Sequence, residues 1–95
     1  MPAYVVVRVN VTDMDAYKEY TKLTPPSIEK YGGKFIARGG EVTTLEGDEE
    51  TQRVVLLEFE SVEVAKAWYN SPEYQAAKAV RKDAAEAQFI VIEGV

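Results

Sequence analysis

Three segments of this chain are apolar at odd and even positions alike. In Ala3–Val9 (AYVVVRV), Ala3, Val5, Val7 and Val9 share one parity, and Tyr4 and Val6 share the other. In Arg53–Phe59 (RVVLLEF), Val55, Leu57 and Phe59 oppose Val54 and Leu56. In Gln88–Glu93 (QFIVIE), Phe89 and Val91 oppose Ile90 and Ile92. The β-branched content makes all three strands. A strand with one wet face alternates apolar and polar residues, so these strands predict a sheet covered on both faces.

The intervening segments supply one cover. Thr12 with Asp15 fits a capping box, with Asp13 also favourable in the first turn. Ala16, Tyr17, Tyr20 and Leu23 then recur at helical spacing. Pro25-Pro26 predicts a break, with Thr24 capping a second piece that ends at Gly32, a left-handed cap. Lys34–Arg38 reads as a second strand. Gly39-Gly40 interrupts it, Glu41–Leu45 continues it as a bent edge, and Glu46–Gln52 is a polar turn. Ser61 caps a helix through Tyr69. Ser71, with Pro72 at the first helical position, starts another that runs to about Glu86.

The order is β-α-β-β-α-β with both helices broken. This is the α+β, ferredoxin-like arrangement of an antiparallel sheet with its helices on one face, in a single domain over residues 1–95. The helices cover one face only. The second apolar face predicts a homodimer packed through the sheets.

Composition removes much chemistry. The chain has no cysteine and no histidine. Disulfides, thiolate catalysis, zinc–thiolate sites and histidine general bases are excluded. A net charge of −5, with basic residues dispersed and no run longer than Arg81-Lys82, argues against nucleic acid and anionic membranes as partners. No apolar run reaches membrane-spanning length and no signal peptide is visible, so the expected location is cytoplasmic. The Asp48-Glu49-Glu50 turn lacks a calcium-loop pattern, and no metal or cofactor is expected. A catalytic Pro2 amine would require loss of Met1, and nothing else in the chain supports it.

The strings YGGKFIARGG, RVVLLEF and AWYNSPEYQ, with MPAYVVV at the start and FIVIEG at the end, resemble the bacterial family DUF1330 over nearly the whole chain. The resemblance implies a ferredoxin-like protomer that pairs into a dimeric α/β barrel. It brings no established activity. Relatives by fold include cofactor-free monooxygenases, muconolactone isomerases and haem-dependent chlorite-degrading enzymes, a likeness of fold rather than of function.

Several residues are candidates for a pocket between sheet and helices. Arg38, followed by Gly39-Gly40, is suited to a bidentate anion clamp, or to pairing with Glu41. Arg53 shares the parity of Val55 and Leu57; under the helices it needs an anion, whereas at a strand end it reaches water. Trp68, Tyr69, Ser71 and Tyr74 form an aromatic wall for a flat ligand, or a core tryptophan and a helix cap. Tyr69 and Tyr74 can donate to an oxyanion. Arg81 lies seven residues beyond Tyr74, over the small Ala77, or pairs with Glu73. Tyr17 and Tyr20 fill core or line the pocket. Glu58 and Glu60 read as solvated. The expected ligand set is Arg38, Gly39, Arg53, Tyr69, Tyr74 and Arg81, for a small anionic organic molecule. Whether the dimer turns it over, binds it unchanged, or is a structural module with a filled cavity is open at this level.

Overall fold

A computed structural model describes all residues, Met1–Val95. The elements are β1 (Ala3–Val11), α1 (Met14–Lys30), β2 (Lys34–Arg38), β3 (Arg53–Phe59), α2 (Val62–Tyr69), α3 (Pro72–Arg81) and β4 (Ala85–Glu93). The strands form one antiparallel sheet in the order β2-β3-β1-β4. This is the ferredoxin-like topology. No helix is long and apolar enough to cross a membrane.

Register sets the two faces. Val5 pairs with Leu57 and Val91, and Val7 with Val55 and Phe89, on the face beneath the helices. There Trp68, Tyr74 and Phe59 are the largest fully buried side chains. On the opposite face Val6 pairs with Leu56 and Ile90, and Tyr4 with Ile92. Ile90 and Ile92 are 51% and 58% exposed, so this second apolar face is uncovered within one chain.

Four local expectations need correction. First, Pro25 and Pro26 do not break α1, which runs unbroken to Lys30. A proline frees the carbonyl four residues earlier rather than ending a helix outright. The Thr21 carbonyl, freed by Pro25, faces the Arg38 guanidinium at 3.5 Å. Second, the cap of α1 is Asp13, whose carboxylate accepts from the Ala16 N–H; the Thr12 N–H is bound to the Ala84 carbonyl. Third, Glu41–Leu45 is not a strand. The loop from Gly39 to Gln52 is tied instead to the outer sheet face by a bidentate pair from Arg8 to Glu50, at 2.6 and 2.9 Å. Fourth, α3 stops at Arg81, short of Glu86. Ala84 accepts from Thr12 and Asp13, and Ala85 pairs with Val11. Sheet pairing here overrides the helix propensity of an Ala/Glu-rich stretch.

Other boundaries match. Ser61 and Ser71 cap α2 and α3, accepting from the Val64 and Tyr74 N–H groups. Gly32 adopts φ of 71° after α1, and the Gly33 N–H closes onto the Ile28 carbonyl. A bulge between Phe35 and Ala37 brings Ala37 opposite Leu56 and Arg38 opposite Val55. The extra residue puts Arg38 on the helix side of the sheet, together with Phe35.

Gly33 lies against the Phe59 ring, where any Cβ would overlap ring carbons. Phe59 is 1% exposed and has no room to withdraw. Gly33→Ala is expected to lower stability by about 1–3 kcal/mol. Gly40→Ala, at a position with open space around it, is expected to change stability by no more than about 0.5 kcal/mol. Urea unfolding of both variants checks this; equal stabilities would contradict it.

Candidate functional site

The layer between helices and sheet contains two cavities. The larger, of about 550 Å³, lies between α2, α3 and β4. Trp68, Tyr69 and Phe89 supply its aromatic wall, and Lys66, Lys78 and Arg81 its charge. No aspartate or glutamate lines it, although the chain carries a net charge of −5. The smaller, of about 40 Å³, lies between α1 and strands β2 and β3, with Tyr17, Arg38 and Arg53 in its lining. Trp68 and Phe89 line both and stand between them.

Arg81 is the unusual residue of the larger cavity. It is only 7% exposed, and its Nε is buried without a hydrogen-bond partner. No carboxylate lies within ion-pair distance. Glu73 pairs with Lys30 of α1, not with Arg81. The guanidinium carbon lies 5.4 Å from the Phe89 ring centroid and 5.5 Å from that of Tyr20. Aromatic faces partly compensate a cation. They do not replace a counter-ion, and a buried charge without one is costly.

Behind Arg81 the Tyr20 and Tyr74 hydroxyls share one hydrogen bond of 2.9 Å. Both side chains are buried. Burial, reinforced by the neighbouring Tyr74 phenol, drives the Tyr20 phenol far above its usual range. Burial also raises Tyr74, against the opposing pull of its bond to Tyr20 and of Arg81. Both therefore stay protonated at neutral pH and act as donors rather than bases. Two hydroxyls hold two protons, and their mutual bond uses one. Tyr20 lines the smaller cavity, and Tyr74 lines neither.

The structure does not gather the six expected residues around one cavity. Tyr69 and Arg81 line the larger. Arg38 and Arg53 line the smaller, with Gly39 packed against the Arg53 guanidinium, where a Cβ would strike it. Tyr74 and Ala77 are fully buried and line neither. Trp68 and Ser71 have core roles: Trp68 Nε1–H donates to Ser27 Oγ at 3.1 Å, and Ser71 caps α3. Glu58 pairs with Lys34 on the outer face. Lys66 and Lys78 escaped the sequence reading. Their signal was helical spacing, since Lys66 precedes Tyr69 by three residues and Lys78 lies between Tyr74 and Arg81 at four and three.

The raised phenols carry a sign. A tyrosine ionises near pH 10 when unfolded, and these two ionise higher when folded. Their contribution to stability is whole below about pH 10 and is lost as pH rises beyond it. Ultraviolet titration of the folded protein should therefore leave two of its six tyrosines protonated until it unfolds. Tyr20→Phe should make the fall of stability above about pH 10 shallower. Six phenols titrating together near pH 10 would contradict this.

The fold is shared with known structures. No curated protein sequence matches the chain. Among solved structures, RPA0582, a protein of unknown function from Rhodopseudomonas palustris, is similar at 23% identity, over 99% of this chain and 82% of that one, with a TM-score of 0.78. A dimeric ferredoxin-like protein of unknown function from a Jannaschia species is similar at 14% identity, over 99% of this chain and 100% of that one, with a TM-score of 0.73. SnoaB, a cofactor-independent oxygenase from Streptomyces nogalater, is similar at 10% identity, over 99% and 93% of the two chains, with a TM-score of 0.70. At these identities the likeness is one of fold. The profile of the family described as "Domain of unknown function (DUF1330)" matches residues 2–95, and the chain belongs to that family.

Proposed function

We propose that this protein is a homodimer that binds a small organic anion in the larger cavity, with Arg81 as the charge-reading residue. One observation carries the reading: a buried guanidinium without a carboxylate lines a cavity that holds two further cations and no acid. An anionic ligand would supply the missing counter-ion. Tyr69, Trp68 and Phe89 would hold its apolar body. Tyr74, which lines neither cavity, would only pack behind that wall.

The dimer is supported by the uncovered apolar face of Val6, Leu56, Ile90 and Ile92. The similar protein from Jannaschia is dimeric. Turnover is a second reading, supported by the likeness to a cofactor-independent oxygenase. In that case Arg81 would stabilise an enolate or phenolate form of the bound molecule. No histidine or cysteine is available as a base.

Calorimetry with 2-naphthoate tests the binding site. Wild-type protein should bind it, and Arg81→Gln should weaken binding at least tenfold, about 1.4 kcal/mol. The neutral 2-naphthylmethanol should be insensitive to that substitution. Equal affinity of both proteins for the acid would contradict the reading, and product recovered after incubation would favour turnover. Light scattering tests the dimer: the expected mass is twice the 10.6 kDa chain, and Ile90→Asp should halve it. A wild-type mass of one chain would refute the dimer.

A further inference from the structure

The smaller cavity is chemically as unusual as the larger. The chain has four arginines, and only Arg8, on the outer sheet face, is ion-paired. The other three all line the two cavities. Arg38 and Arg53 share the smaller one, and none of its lining residues is an aspartate or glutamate. Like charges placed together without an acid repel each other and are ordinarily separated.

Several features fix the pair in place. The bulge in β2 turns Arg38 to the helix side. Its guanidinium lies 4.3 Å from the Phe35 ring centroid and reaches the Thr21 carbonyl that Pro25 leaves free. Arg53 continues the inner parity of β3, opposite Val9. Its guanidinium occupies the space that Gly39 leaves by lacking a Cβ, and its Nε is buried without a partner. The Tyr17 ring centroid lies 5.9 Å from the Arg53 guanidinium carbon. Thus two planar, forked donors are positioned by separate devices, and neither is neutralised by the protein.

We propose that this cavity is a second anion site, distinct from the larger one, and that it takes a small free planar oxyanion of the carboxylate, carbonate or nitrate type. Planarity follows from the guanidinium fork, which matches two coplanar oxygens. Size follows from the volume. A cavity of about 40 Å³ has room for about three or four water-sized atoms, at roughly 10–15 Å³ each. A naphthoate-sized acid would not be enclosed there. Trp68 and Phe89, which wall both cavities, keep the two sites apart.

The test is an NMR titration of the arginine Nε–H signals with sodium nitrate and sodium acetate, against sodium chloride at matched ionic strength. The Arg53 and Arg38 signals are expected to shift saturably, with dissociation constants in the millimolar range that suits so small a ligand. The Arg8 signal, held by Glu50, should not shift. Saturation should persist in Arg81→Gln, which separates this site from the larger cavity whatever the fate of the naphthoate experiment. Arg53→Gln should abolish it. Arg38→Gln, at an exposed position, should weaken it at least tenfold and keeps the test available if Arg53→Gln disturbs folding. Equal shifts with chloride, no saturation, loss of the effect in Arg81→Gln, or tighter binding of hexanoate than of acetate would each overturn the proposal.

Discussion

A wedge of aromatic rings joins the helices to the sheet, and the rest of the molecule is arranged around it. Trp68 of α2 packs on Phe59 of β3 with ring centroids 5.2 Å apart, and on Tyr74 of α3 at 4.5 Å. Tyr74 meets Tyr20 of α1 edge-on at 6.3 Å and Phe89 of β4 at 5.9 Å. Every helix and two strands thus touch one cluster. Such rings contribute large buried areas together with preferred pair geometries. The wedge also divides the helix–sheet layer, because Trp68 and Phe89 form a wall of each cavity. Packing and compartment are here the same set of side chains.

Around that wedge the charges are distributed in an unusual way. The ion pairs of the chain lie towards water: Arg8 with Glu50, Lys22 with Glu19, Lys30 with Glu73, and Lys34 with Glu58. The other three arginines, which line the two cavities, have none. Evolution towards stability alone would favour an apolar residue at a position as buried as Arg81. Its burial without a carboxylate partner is what the proposed site, which would acquire its counter-ion by binding, requires.

Much of this was legible in the sequence, for identifiable reasons. Strands β2 and β3 and helix α2 have the expected bounds because glycine, serine and parity act locally there. The double apolarity of β1, β3 and β4 announced a sheet with one face left open. The continuity of α1 through two prolines was not legible, because it depends on what the freed carbonyls meet. The end of α3 was not legible either, since Ala84 and Ala85 are held by β1. Of the candidate residues, chosen by type and position, Arg38, Arg53, Tyr69 and Arg81 line a cavity, whereas Tyr74 is wholly buried and Gly39 packs against Arg53. Their division between two cavities was hidden. It depends on a bulge at Ile36 and on the Trp68–Phe89 wall, and both are properties of packing rather than of pattern.

If Arg81 serves a ligand, the fold has no need of its charge. Arg81→Met, which keeps much of the side-chain volume and removes the charge, tests it through urea unfolding of the ligand-free protein. If the guanidinium awaits a counter-ion, its removal should leave stability unchanged or raise it, by up to about 4 kcal/mol. A loss of more than about 1 kcal/mol would mean that Arg81 holds the structure together, and would contradict the account.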